Sequence, residues 1–181
     1  MPRYVTFLRG INLGKRRVKM DTLRECFEEL GLEGVDTFIA SGNVVFDHPG
    51  HADRSLEEAI ERHLESALGF EVAAFIRPLS ALAGLSEPED PASAAGDEFT
   101  PHVIFLRSAP DAGLKARVSL LETPDDQFRF GGREIIWLRR GRLSDSPIEA
   151  RELERALGGS GNTMRNLNTV RRIVAKFEEM E

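Results

Sequence analysis

A hairpin signal occurs twice in this chain, and each time it stands between two helical patterns. Ser41-Gly42-Asn43 separates the apolar runs Val35–Ala40 and Val44–Asp47, and Gly131-Gly132 separates Gln127–Phe130 from Glu134–Leu138. Gly and Asn supply the positive φ that a tight β-turn needs, so each signal specifies a pair of antiparallel strands. An antiparallel pair flanked by amphipathic helices buries its apolar face under those helices. All-helical and all-strand architectures are excluded at this point.

The flanking segments extend the pattern. Tyr4–Leu8 is rich in aromatic and β-branched residues and reads as a strand. Met20, Leu23, Phe27 and Leu30 recur at helical spacing, with Thr22 and Glu25 as a capping box and Gly31 as the stop. Leu56, Ile60, Leu64 and Leu68 mark a second helix, capped by Ser55 and Glu58 and ended by Gly69. Val72–Ile76 is a fourth strand, and Leu79–Leu85 a short helix. The order is β-α-β-β-α-β, the split β-α-β or ferredoxin-like order.

After Glu87–Asp97, an acidic run of proline and small residues without periodicity, the order starts again. His102–Leu106 reads as a strand. Ser108 and Asp111 open a helix carrying Leu114, Val118 and Leu121, and the second hairpin follows. Ser146-Pro147-Ile148-Glu149 reads as a capping box before Leu153, Ala156 and Leu157, with Gly158-Gly159 as the stop. Met164, Leu167, Arg171, Val174 and Phe177 keep helical spacing, so the second half ends as β-α-β-β-α-α. The expected fold is α+β: two ferredoxin-like halves with antiparallel sheets and helices on one face, the second half ending in an extra helix. The expected boundaries are 1–82, a linker over 83–100, and 101–181. The two halves share element order and little residue-level similarity.

Composition limits the function classes. The 181 residues carry a net charge of −6 and 41% hydrophobic residues, enough for a core. No apolar run is long enough to cross a bilayer. Met1–Leu8 lacks the pattern of a signal peptide, and Cys26 is the single cysteine, so the expected compartment is the cytoplasm. An acidic chain gains little from general attraction to nucleic acid.

The one concentrated basic segment is Arg9-Gly10-Ile11-Asn12-Leu13-Gly14-Lys15-Arg16-Arg17, followed by Lys19. Glycines let backbone N–H groups approach a ligand, and the cations precede a helix N-terminus, so the loop suits an anion. It is not a P-loop: Gly10 and Gly14 are separated by three residues, and Arg16 stands where a magnesium-binding Ser or Thr belongs. The alternative is a solvated loop whose glycines make turns.

Ser41 and Asn43 either shape the hairpin or, since the loop after the first strand and the first hairpin turn can share one end of the sheet, hydrogen-bond beside Arg9 and Asn12. Thr163-Met164-Arg165-Asn166-Leu167-Asn168-Thr169 is polar for a helix start. It either caps the last helix or offers Arg165 and Asn166 to a ligand shared with the first loop. Cys26, on the apolar side of the first helix, reads as core. Glu57, Glu58, Glu61 and Glu65 read as a solvated helix face. His48 and His51 lack metal-site company.

Several of these segments resemble one family. Leu8-Arg9-Gly10-Ile11-Asn12-Leu13-Gly14, Lys19-Met20 with Leu23, Ser41-Gly42-Asn43-Val44-Val45-Phe46, and Thr163–Thr169 are similar, in this order, to the motifs of the domain of unknown function 1697. The resemblance implies a bacterial-type cytosolic α+β protein and transfers no catalytic residue. The leading expectation is binding of a small anionic or phosphorylated ligand by Arg9, Asn12, Lys15, Lys19, Ser41, Asn43, Arg165 and Asn166. No catalytic residue, metal or cofactor is assigned. The alternatives are a nucleic-acid-binding module, with Tyr4 as a base-stacking residue, and a protein-interaction module using a sheet face or edge.

Overall fold

The computed structural model describes residues 1–39, 42–85, 98–159 and 161–180; the expected linker run Glu87–Asp97 lies outside them. Contacts divide the chain into two compact units, Met1–Ala83 and Gly84–Met180. The first unit runs β1 (Arg3–Arg9), α1 (Met20–Glu29), β2 (Glu33–Thr37), β3 (Asn43–Asp47), α2 (Arg54–Leu68), β4 (Ala73–Pro78) and α3 (Leu79–Gly84). Its four strands are ordered β2-β3-β1-β4, with every neighbouring pair antiparallel. Tyr4, Leu8, Val44, Phe46, Ala74 and Ile76 meet Leu23, Cys26 and Phe27 of α1 and Ile60 and Leu64 of α2 in one core. Alternate residues on the same strands, Val5, Phe7, Val45 and Phe75, are equally buried, so this sheet is apolar on both faces.

The second unit runs β5 (Phe99–Leu106), α4 (Ala112–Ser119), β6 (Asp126–Gly131), β7 (Glu134–Arg140), α5 (Ala150–Ala156), β8 (Asn162–Asn166) and α6 (Leu167–Glu178), with strand order β6-β7-β5-β8. Ile104, Leu106, Phe128, Ile135 and Trp137 pack with Leu114 and Val118 of α4 and with Leu153, Ala156 and Leu157 at α5. Both units are therefore ferredoxin-like.

The main departure from the sequence reading is β8. Met164 does not begin a helix. It pairs with Ile104 in a strand and packs partly against the core, while α6 starts three residues later at Leu167. Strand pairing outweighs a helical spacing that Met164 shares with Leu167. The second unit thus repeats the whole β-α-β-β-α-β order, and α6 follows β8 as α3 follows β4.

Register also uncovers residue-level repetition. Val5 pairs with Val45 and Arg77, and Val103 pairs with Ile136 and Arg165. Superposing these registers lays Phe7-Leu8-Arg9 on Phe105-Leu106-Arg107, and Arg77 on Arg165. Each of the latter arginines precedes, by two residues, a leucine that opens a helix. Each donates from Nη1 to the carbonyl before it, Arg77 to Ile76 at 2.8 Å and Arg165 to Met164 at 2.9 Å.

Three caps lie elsewhere than expected. α1 begins after Lys19, with no side-chain cap from Thr22. Asp53, two residues before Ser55, caps α2 through the Leu56 N–H. The Glu149 N–H donates to Glu152 at α5, while Ser146 binds elsewhere.

The glutamates of α2 are not all solvated. Glu57 is 2% exposed. Its carboxylate accepts the Ile76 N–H at 2.9 Å, and Glu61 accepts the Ala74 N–H at 2.9 Å. These amides lie on β4, at the end of its sheet. On β6, at the end of the other sheet, the Phe128 N–H donates to Glu122 at 2.9 Å. Carboxylates thus occupy edge amides that would otherwise seek another strand.

Candidate functional site

The connection from β1 to α1 is built by its own polar groups. Ile11 anchors it in the core at 4% exposure. Gly10 and Gly14 adopt positive φ, 88° and 59°. The Arg16 N–H closes a turn onto the Leu13 carbonyl at 3.0 Å. The Val18 N–H donates to Asn12 Oδ1 at 3.1 Å, which fixes the width of the loop. Arg17 folds back, donating from Nη1 to the Gly14 and Arg16 carbonyls.

This loop faces the connection from α2 to β4. The two meet because Arg9 pairs with Ala73 at the end of the β1–β4 ladder. Between them lies a depression of about 590 Å³ lined by Arg9, Gly10, Leu13 and Arg16 on one side, Glu65, Gly69, Phe70 and Glu71 on the other, and Ala73. The Arg16 guanidinium carbon stands 4.3 Å from the centroid of the Phe70 ring. Leu13 is 61% exposed beside it. Two guanidinium groups and two carboxylates therefore share the lining with an aromatic ring and an aliphatic side chain. A bare anion meets no net positive wall here. Arg9 and Arg16 favour it, and Glu65 and Glu71 oppose it.

Of the eight residues expected at the site, Arg9 lines the depression. Lys15 and Lys19 are exposed on the same loop and do not line it. The hairpin does approach this loop. The Leu8 N–H donates to the Gly42 carbonyl at 2.8 Å, and a Cβ on Gly42 would stand 2.9 Å from Ile11 Cγ2. Asn43 is buried, and its amide donates to the Phe38 carbonyl at 3.1 Å. Asn12 and Asn43 both hold backbone in place. Ser41 lies outside the described residues.

Arg165 and Asn166 belong to the second unit. Arg165 donates to Thr163 Oγ1 and the Met164 carbonyl, and desolvation brings its guanidinium down to about 10, still charged at neutral pH. Asn166 caps α6, accepting from the Asn168 N–H at 2.8 Å. Arg16, Glu65, Phe70 and Glu71 complete the depression and are not among the residues read from the sequence. The signal for them was topological: in this strand order the segment entering β4 ends beside the segment leaving β1.

Other polar groups have structural work. Asp126 is fully buried, taking Trp137 Nε1 at 3.1 Å, Arg139 Nη1 at 2.9 Å, Thr123 Oγ1 at 2.7 Å and Ser146 Oγ at 3.0 Å. The Tyr4 ring is buried, and its hydroxyl donates to the Gly50 carbonyl at 2.8 Å, so it offers no stacking surface for a base. Burial, then Glu29 and Glu25, raise the Cys26 thiol above its ordinary value, which suits a core residue rather than a nucleophile. Among the described residues, no group of three or more His, Cys, Asp or Glu could hold a metal ion, and no helix is long and apolar enough to cross a membrane.

Two ferredoxin-like units in tandem, with a charged depression at the first β-α loop of the leading unit, define an α+β tandem-repeat protein. The chain belongs to the family described as "Protein of unknown function (DUF1697)", whose model matches residues 1–136. That match includes the loop and the first hairpin and ends before Thr163–Thr169. The chain is also similar to the structure of conserved bacterial protein SP0830 from Streptococcus pneumoniae, at 27% identity and a TM-score of 0.79. That similarity covers 98% of this chain and 99% of the other. No curated protein matches significantly.

Proposed function

We propose that the first unit binds a small anionic ligand in the depression beside the β1–α1 loop. The observation that carries this reading is the presence of Arg9 and Arg16 in one lined depression with Gly10, whose positive φ favours glycine and so leaves the backbone bare there. Guanidinium groups bind carboxylate and phosphate through paired N–H donors. Lys15 and Lys19 add long-range attraction only. Arg165 and Asn166 are not part of the proposed site, because their hydrogen bonds serve the frame of the second unit.

Burial of Tyr4, Val5, Phe7, Val45 and Phe75 weighs against a module that stacks bases on its first sheet. The glutamates that hold the β4 and β6 amides weigh against strand addition at those edges.

Calorimetric titration of the full chain with inorganic phosphate tests the reading. Arg9→Ala should weaken binding about tenfold, the scale of one charge-assisted hydrogen bond. Arg165→Ala should leave it unchanged if the variant folds, as judged by circular dichroism. Equal affinity in wild type and Arg9→Ala overturns the proposal.

A further inference from the structure

We infer that the ligand of this depression is a nucleoside monophosphate whose base carries an exocyclic amino group; the inference rests on the anion reading above. Three features of the lining point the same way. First, the charges are mixed. Arg9 and Arg16 suit a phosphate, whereas Glu65 and Glu71 would repel one and suit a hydrogen-bond donor. A ligand with an anionic end and an N–H-bearing end satisfies both. Second, the lining holds a flat apolar surface. The Phe70 ring packs against the core and carries the Arg16 guanidinium at 4.3 Å, so a planar base stacks there by taking the place of that guanidinium as it turns to the phosphate. Third, Leu13 is one of the few large apolar side chains of the described residues left exposed, and it sits on this rim. Exposed Leu13 gains by being covered with a heteroaromatic ring.

A bare phosphate uses only the arginines. An amino-bearing nucleoside without phosphate uses only Phe70, Leu13 and the glutamates. A nucleoside monophosphate uses all of them, and about 590 Å³ lies within the range of small-molecule sites.

The test is calorimetric titration of the full chain with AMP, UMP, adenosine and inorganic phosphate. AMP should bind at least about tenfold more tightly than either phosphate or adenosine, since one stacked base contributes on that scale. Phe70→Leu, which keeps apolar volume and removes the ring, should bring AMP down to the phosphate level without changing phosphate binding. The double variant Glu65→Gln/Glu71→Gln changes two exposed side chains. It should strengthen phosphate binding and narrow the preference for AMP over UMP, whose base has no amino group.

Phosphate bound in an Arg9-dependent way, with AMP no tighter, overturns this inference and leaves the anion reading intact. Failure of both AMP and phosphate to bind removes both. AMP bound equally by wild type and Phe70→Leu, or equal affinity for AMP and UMP, also overturns the inference. Should Phe70→Leu fail to fold, Arg16→Ala serves in its place. Arg16 is exposed, and its loss should weaken AMP about tenfold; unchanged AMP affinity counts against the site.

Discussion

Replacing Asp126 should unlatch the second unit. Its carboxylate is fully buried and has four side-chain donors, of which Arg139 is itself only 7% exposed. Asp126→Ala strands that guanidinium in a low-dielectric site, and removing one member of a buried ion pair costs about 3–5 kcal/mol. The Trp137, Thr123 and Ser146 donors also lose their acceptor, although water entering the vacated space recovers part of that loss. The expected cost is about 4 kcal/mol, a large part of the roughly 5–15 kcal/mol that holds a domain together. Asp126→Asn keeps the volume and two neutral hydrogen bonds and should cost about 2 kcal/mol, the value of the charge-assisted bond.

The assay is built into the chain. Trp137 is the single tryptophan, and its indole N–H is one of the bonds in question. Its emission during a urea titration therefore follows the second unit alone. Adding Arg139→Met to Asp126→Ala should restore at least half of the loss, because an apolar pair replaces an ion without its partner. An Asp126→Ala variant that loses less than about 1 kcal/mol, with unchanged Trp137 emission, would refute the argument.

Glu57→Ala should cost about 1–3 kcal/mol by leaving the buried Ile76 N–H without its acceptor, and amide exchange at Ile76 should accelerate well beyond that at its strand neighbours. His102 is 8% exposed, its Nε2 has no hydrogen-bond partner, and desolvation lowers its pKa below 6.5. The unfolded chain then binds a proton that the folded chain refuses. This contribution to stability is complete above the unfolded pKa near 6.5 and is lost as pH falls through the folded value. His102→Phe should flatten the stability of the second unit between about pH 6.5 and 5 relative to wild type, as read by urea titration at each pH.

The fold was legible where local chemistry agreed with periodicity. The two hairpin signals, the Leu-Ile-Leu stripe of α2 and the Leu-Val stripe of α4 each named an element the structure contains. β8 was not legible, because Met164 fits a helical stripe with Leu167 and a strand register with Ile104 equally well. Only the partner strand decides between them. The same limit applies to the depression. Arg9 stood out as a cation beside a glycine, whereas Glu65, Phe70 and Glu71 look like the end of a helix and a loop. They become neighbours of Arg9 only through the β1–β4 ladder. Asn12 and Asn43 read as ligand groups because polar side chains beside glycines serve turns and ligands alike; in the structure Asn12 holds the Val18 N–H and Asn43 the Phe38 carbonyl.

Two sheets of the same strand order on a single chain meet at a far higher effective concentration than two separate molecules do. Under such conditions an uncapped terminal strand of one copy is a template for the other, and the sheets can merge or exchange strands during folding. Glu57, Glu61 and Glu122 remove that option at β4 and β6, since a competing strand must first displace a carboxylate from the amide it already holds. The glutamates therefore act before any ligand is present: at one edge of each sheet they bias a duplicated chain toward two separate sheets.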